Sequence, residues 1–322
     1  MVTPGSDACK PGRVAIYTPL PIEDAQRISA AHGLGEATAV EGIVAGSVNS
    51  NFFVDTALRR VFVRIYEEQD AEGARFEWRL LDHLGAAGLP VPRRVEGAAP
   101  GEVRVAGKPT AVFEVVGGHE VCQKMVDVPR ATAVGRFLAQ AHHAVADFTT
   151  ASAGRFTREE IRRRLDAVAA LDRVELREAV ATLSRTLDDL DESWPEDLPS
   201  GIVHGDLFRD NVRWRDGESV IECVLDWESA AKDAFVYDLA VAVLAWCFGD
   251  SLDHTLVDAM VAGYQSVRPL TELERGALPL ALRSAATRFT VTRITDFHLR
   301  EDVAQVKKDW GRYYRRLQEV SR

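Results

Sequence analysis

Cysteine is sparse in this chain: four among 322 residues, at positions 9, 122, 223 and 247. They are scattered, with no pair at metal-binding spacing, so neither a thiolate metal centre nor a disulfide framework is indicated. Reduced thiols in a cytosolic protein are the expectation. A long apolar run is also missing. The longest, Leu239 to Phe248, has ten residues, about half of the ~20 that a bilayer requires, so a buried helix is expected there and no membrane span. Pro4, Gly5, Asp7 and Lys10 interrupt the first residues, which lack an apolar signal core and read as a flexible tail over 1–12. Positive charge is in deficit: 39 Lys and Arg against 49 Asp and Glu give a net charge of −10. No basic surplus is present to neutralise phosphates, which argues against a nucleic-acid partner.

What is present fits a soluble globular protein, with 46% apolar and 27% charged residues, in a chain long enough for two structural units. Residues 22–32 read as a short helix and 38–66 as strands. Val61, Val63 and Ile65 alternate with Phe62, Arg64 and Tyr66 to give two distinct faces. Glu72 to Ala87 carries Phe76, Leu80, Leu81 and Leu84 at helical spacing and ends before Gly88 and Pro90. Two more strand-like runs over 102–116 surround the Gly107-Lys108 turn, and Gly117-Gly118 then breaks the pattern. Beyond it the chain turns helical. Apolar stripes run from Val134 to Val145 and from Leu176 to Leu190, and further helices are expected at 236–248, 254–266, about 272–300 and 302–319. The expected architecture is α+β: a small β-rich N-terminal lobe, 1–116, hinged to a larger, mainly helical lobe, 117–322, with a cleft between them.

The stretch His204-Gly205-Asp206-Leu207-Phe208-Arg209-Asp210-Asn211 carries the chemistry, and Leu225-Asp226-Trp227 follows, with Asp226 fifteen residues after Asn211. Val212 to Arg215 and Val220 to Leu225 can form two strands around the Asp216-Gly217 turn. A hairpin brings Asn211 beside Asp226, because facing strand residues lie ~4.5–5.5 Å apart. An amide oxygen and a carboxylate so placed can share one Mg2+, which takes oxygen ligands and few of them from protein. Asp206, in the loop entering the hairpin, can accept or orient the proton of an attacking hydroxyl. Phosphoryl transfer from Mg-ATP requires such a set. Singly, the same residues read as caps of loop turns. His204 reads as an organiser of the loop and not as a base.

This stretch resembles the catalytic loop of the protein-kinase-like phosphotransferases, in the branch with aminoglycoside and choline kinases. Within that branch the similarity is to the homoserine kinases of the protein-kinase-like type. It rests on 204–211, on Gly42 to Phe52 (GIVAGSVNSNF) as the nucleotide loop, and on Tyr237-Asp238-Leu239, Ala245 to Phe248 and Gly263 to Leu270. It rests also on Thr287-Arg288-Phe289 with Thr292-Arg293 and Asp296. The likeness covers nearly the whole chain. It implies a protein-kinase-like bilobal fold. It also implies transfer of the ATP γ-phosphoryl group to the hydroxyl of L-homoserine, giving O-phospho-L-homoserine in threonine biosynthesis. By position it implies Asp206 as the catalytic carboxylate, Asn211 and Asp226 as magnesium ligands, and ATP with Mg2+ as cofactors.

On the nucleotide side the resemblance points to Gly42, Gly46, Ser47 and Ser50 for the phosphates. It points to Arg64 where the superfamily often has a strand lysine, and to Glu114 and Val115 as the hinge whose backbone meets adenine. Arg keeps the charge of a lysine but not its geometry; Glu77 on the next helix can pair with it. A homoserine pocket needs an Arg-type donor for the carboxylate and an acid for the ammonium. Arg268, Arg283, Arg288 and Arg293 are available, as are Glu228, Asp233 and Asp296. Glu228, Arg288 and Arg293 are put forward, although Arg293 and Asp296, three apart, also suit a helix-surface pair. Trp227-Glu228 departs from the aromatic residues that homoserine kinases tend to place after the metal Asp. A kinase of choline, another amino alcohol or an aminoglycoside therefore stays open, and Trp227, Trp246 and Tyr264 offer rings for a quaternary ammonium. A nucleotide-binding pseudokinase, supported by Arg64 alone, is the reading from another class. Asp238 is expected to support the loop structurally.

Overall fold

The computed structural model describes residues 17–43, 48–99, 101–150, 152, 154–299 and 308–322. The chain divides into two compact units, Met1–Arg75 with Arg93–Val115, and Phe76–Pro92 with Val116–Arg322. This differs from a single break after residue 116, because 76–92 groups with the later residues. Phe76 meets Phe148 edge-on at 6.0 Å, His83 Nε2 reaches Ala144 O at 2.7 Å, and Val224 N donates to Pro90 O at 2.8 Å.

In the first unit, helix α1 (Ile22–Ala31) precedes β1 (Ala37–Ile43), β2 (Ser50–Thr56), β3 (Arg60–Ile65), β4 (Arg104–Val105) and β5 (Lys108–Glu114). The strands form one antiparallel sheet in the order β1-β2-β3-β5-β4. The period of two decides its faces. Val61, Val63 and Ile65 join Ala25 and Ile28 of α1, Phe52, Val54 and Val112 in one core. The opposite face carries Phe53, Phe62 and Phe113, with ring centroids 6.1 and 6.3 Å apart.

The second unit takes the later part of α2 (Ala71–Ala86), then α3 (Val128–Ala144), α4 (Arg158–Ala170) and α5 (Arg177–Ser193). Four short strands follow: β6 (Ser200–Val203), β7 (Val212–Trp214), β8 (Ile221–Val224) and β9 (Ala231–Ala234). β6 pairs with β9 and β7 with β8, both antiparallel. Helices α6 (Phe235–Trp246), α7 (His254–Gln265), α8 (Glu272–Arg293) and α9 (Gly311–Val320) complete it. Several helix starts carry side-chain caps of the usual kind: Asp127 accepts from Arg130 N, Asp253 from Thr255 N, and Thr271 with Glu274 forms a capping box. The helix expected to about residue 300 ends at Arg293 and widens into a π-helical turn over Ile294–His298. Of the helix expected over 302–319, residues to 307 lie outside the described ones, and α9 occupies 311–320.

All twelve residues of α6 are buried, Asp238 included. The apolar run is thus the centre of a helical body, and among the described residues no helix is long and apolar enough to cross a membrane. Cys122, Cys223 and Cys247 are free thiols. Helices α3 and α7 cross where both lack a side chain. A Cβ on Gly135 would lie 2.0 Å from Met260 O, and one on Gly263 would lie 2.2 Å from Thr132 O. Neither backbone carbonyl can yield without separating the helices. Gly263→Ala is therefore expected to lower the free energy of unfolding by about 1–3 kcal/mol, the usual cost of overpacking. An unaltered urea midpoint would show that the crossing is looser than described.

Candidate active site

The strands β7 and β8 build the site locally. Gly217 takes the left-handed conformation (φ 73°) that the turn demands, and Arg215 N donates to Val220 O at 3.0 Å across its base. The register pairs Val212 with Val224, and Leu225 N donates to Asn211 O at 2.7 Å. The pairing so extends one step past the strands, and Asn211 and the residue before Asp226 face each other. Asn211 Nδ2 donates to Asp206 O at 2.8 Å, which leaves its amide oxygen as an acceptor. Asp226 stands in the left-handed region at φ 62°, a conformation that costs a non-glycine residue about 1–3 kcal/mol and that clusters at functional sites. An amide oxygen and a carboxylate on adjoining backbone are hard donors that suit Mg2+.

Asp206 enters from a loop held on every side. His204 N and Gly205 N donate to the buried Asp238 carboxylate, each at 2.8 Å. Gly205 O accepts from Arg288 Nη1 at 2.7 Å. The same Arg288 Nη1 lies 3.5 Å from Asp206 Oδ1, whose side chain is 28% exposed. Burial pushes the Asp206 carboxyl up from its ordinary range, and the Arg288 charge opposes that push. His204 is an organiser: its Nδ1 accepts from Asp206 N at 3.2 Å and its Nε2 donates to Leu225 O at 3.0 Å. One imidazole thus ties the backbone of Asp206 to that of Leu225, the residue before Asp226. Further along the loop, Trp246 Nε1 donates to Leu207 O at 2.9 Å, and Arg209 donates to Ala245 O and to Gln123 Oε1.

The other sequence-derived candidates are distributed unevenly. Gly42 lies within β1 opposite Phe52, and Ser50 opens β2 opposite Ile65. The Ser50 hydroxyl is turned inward: it donates to Glu67 Oε1 at 2.5 Å and accepts from Thr18 N at 2.9 Å. Glu67 also pairs with Lys108. Gly46 and Ser47 lie outside the described residues. Arg64 sits in β3 between Asn51 and Ala111. Glu114 N donates to Arg93 O at 2.8 Å and its carboxylate meets Arg59 at 3.1 Å, while Val115 is exposed. Glu228 is half-buried in the turn Trp227–Ser229 that follows Asp226.

Of the arginines, Arg268 is paired with Glu274 at 2.8 Å and Arg283 with Asp189 at 2.8 Å. Arg293 stacks on the Tyr313 ring at 4.3 Å and donates to Asp309 O at 3.2 Å. Asp296 pairs with Arg164 at 2.8 Å. The π turn that begins at Ile294 changes the angular step, so Arg293 and Asp296 are no longer stacked as helical spacing suggested. Sequence reasoning missed His142, whose Nε2 lies 3.0 Å from Asp238 Oδ2. One of two adjacent histidines at the end of α3 gives no signal of a partner 96 positions away.

The phosphotransferase enzyme family matches residues 39–270. The homoserine kinase of Methylobacterium sp. (strain 4-46) is 36% identical over 94% of this chain and 95% of its own length. That of Methylocella silvestris is 37% identical over 88% of each. Amicoumacin kinase hAmiN, solved with AMP-PNP, Ca2+ and Ami, superposes with a TM-score of 0.69 at 14% identity over 92% of each chain. An aminoglycoside phosphotransferase from Alicyclobacillus acidocaldarius superposes with a TM-score of 0.62 at 16% identity, over 91% of this chain and 92% of the other. These structures share the fold, which is that of protein-kinase-like phosphotransferases. The chain belongs to the phosphotransferase enzyme family, in the branch that holds these homoserine kinases.

The Arg288 charge gives the site a measurable property. Arg288→Met is expected to move the acidic limb of the kcat/KM profile up by about one pH unit, since an opposite charge at this range lowers a carboxylate pKa by about 1–3 units. The sign holds for an Asp206 that acts in its ionised form: without the cation more of it is protonated at a given pH. A limb that stays in place would show that Arg288 does not set the Asp206 charge.

Proposed function

We propose that this protein transfers the γ-phosphoryl group of ATP to the side-chain hydroxyl of L-homoserine, giving O-phospho-L-homoserine and ADP, a step of threonine biosynthesis. The observation that carries the reading is the hairpin that sets Asn211 beside Asp226 with Asp206 hydrogen-bonded to Asn211 through its own carbonyl. The homoserine kinases at 36% and 37% identity supply the acceptor. Asp206 takes the hydroxyl proton as the oxygen attacks the γ-phosphorus. The bond from that phosphorus to the bridging oxygen breaks, and ADP leaves with the electron pair. Asn211 and Asp226 are the residues that would hold Mg2+, which when bound neutralises charge on the phosphates.

On the first unit we assign the phosphate contact to Arg64 and to the backbone around Gly42, and the adenine contact to the Glu114 carbonyl and the Val115 backbone, since the Glu114 N–H is committed to Arg93 O. The Ser50 hydroxyl is committed to Glu67 and is left out of this assignment. For the acceptor, Arg293 takes the carboxylate, because Arg288 is committed to Gly205 and Asp206. Glu228 takes the ammonium. A quaternary ammonium cage built on Trp227, Trp246 and Tyr264 is disfavoured, since all three are at most 2% exposed. The indole N–H groups of both tryptophans donate to backbone carbonyls, and the Tyr264 hydroxyl meets His142.

Purified protein with Mg-ATP is expected to release ADP on addition of L-homoserine, and not with serine, choline or an aminoglycoside. Turnover with one of those and none with homoserine would overturn the assignment. Asp206→Asn is expected to cut kcat by at least about a hundredfold, the scale of a positioned acid–base group, while nucleotide binding persists. Asp226→Ala is expected to lose Mg2+-dependent nucleotide binding. If both variants bind nucleotide and turn over as the parent does, the constellation is not the reaction centre.

A further inference from the structure

We propose that His142 and Tyr264 are positioning residues for phosphoryl transfer, holding the backbone before Asp206 through a buried relay that runs from Arg268 to Asp238. The proposal rests on the phosphotransfer reading of Asp206. Arg268 Nη1 donates to Glu274 Oε1 at 2.8 Å and to the Tyr264 hydroxyl oxygen at 3.0 Å. That hydroxyl lies 2.8 Å from His142 Nδ1, and His142 Nε2 lies 3.0 Å from Asp238 Oδ2. Asp238 in turn accepts from His204 N and Gly205 N. Five side chains from α3, α6, α7, α8 and the segment after α7 are thus linked to the two amides that precede Asp206.

One arrangement of protons satisfies the whole chain. Guanidinium nitrogens only donate, so the Tyr264 oxygen accepts from Arg268. Its own proton then points at His142 Nδ1, which must be the acceptor. The imidazole proton is left on Nε2 and faces a carboxylate, which only accepts. Burial lowers the His142 pKa and keeps it in that neutral form. Asp238 is held below its ordinary range: burial pushes it up, but its bond to His142 and its backbone donors outweigh that. From Arg268 to Asp238 the donors therefore point one way, and at the Asp238 carboxylate they meet the His204 and Gly205 amides, which donate from the loop side.

Four of the five groups are shielded from water, and only Arg268 is partly exposed. His142, Tyr264, Asp238 and Glu274 are at most 2% exposed. Phe235 stacks on His142 at 4.4 Å and lies under the Arg268 guanidinium at 4.7 Å. Such a relay is weak evidence for stability, since a buried ion pair exchanged whole for apolar groups of similar volume is often neutral. What it fixes is direction. Without the Tyr264 hydroxyl, His142 Nδ1 loses its donor, and the ring is held only through Nε2 and can turn. The Asp238 carboxylate would then follow the ring, and His204, Gly205 and Asp206 would move with it.

Tyr264→Phe removes the hydroxyl and keeps the ring. It is expected to lower kcat by about tenfold or more, the scale of a small misplacement of a reacting group, with KM for ATP and acceptor within about twofold of the parent. The backbone amides of His204 and Gly205 should exchange with solvent faster, which is read without any acceptor and so separates this relay from the choice of homoserine. His142→Gln can place an amide donor where Nε2 stands and should retain more kcat than His142→Leu, even where both unfold at the same temperature. An unchanged kcat and unchanged exchange in Tyr264→Phe would overturn the proposal. Equal kcat for the Gln and Leu variants, or a kcat loss that merely follows the folded fraction, would do so as well.

Discussion

The Asp238 carboxylate is the contact on which the site depends. It sits in the first turn of α6, where the positive end of the helix dipole favours its charge. It spends that charge on two consecutive amides of another segment. Those amides belong to a loop that cannot satisfy them within itself, because Gly205 takes a left-handed turn at φ 71°. Leaving either amide buried and unpaired would cost about 1–3 kcal/mol. The carboxylate therefore determines where the loop lies, and the next residue is Asp206.

Helix α6 acts as a rail for the rest of that loop. Its start holds 204 and 205 through Asp238, and its end holds 207 and 209 through Trp246 Nε1 and Ala245 O. A rail has to be rigid, which explains why all of α6 is buried and why α3 and α7 approach so closely over Gly135 and Gly263. The hairpin of β7 and β8 then fixes Asn211 and Asp226 relative to the loop through His204 and Leu225. The left-handed backbone at Asp226 is sustained by this framework.

What could be read from the sequence was what is local. Asp216-Gly217 between alternating residues announced the hairpin, and the hairpin placed Asn211 by Asp226 without further knowledge. The period of two at Val61, Val63 and Ile65 gave the faces of the first sheet. Asp238 before an apolar run was legible as a support of the loop. Contacts between distant segments were not legible. Tyr264 and His142 are 122 positions apart, and neither carries a local pattern that names the other. Ser50 shows the converse error of a local signal. Serine among glycines suggests a phosphate donor, but Glu67 beside Lys108 draws that hydroxyl inward. Helical spacing misled at Arg293 and Asp296 because the helix changes pitch between them.

The fold by itself does not name the acceptor, because the groups that fix Asp206 act largely on backbone atoms and are indifferent to what carries a hydroxyl. Selection must then fall to charged side chains that the framework has not already consumed. Four arginines on the later helices were candidates for a carboxylate. Arg268 is consumed by Glu274 and Tyr264, Arg283 by Asp189, and Arg288 by Gly205 and Asp206. Arg293 alone of the four spends its described contacts on a ring face and a backbone carbonyl. Burial lowers its pKa, and the nearby Asp206 charge works against that. A cation held partly out of water, close enough to feel the Asp206 charge, has more to gain from a carboxylate partner than any of the other three.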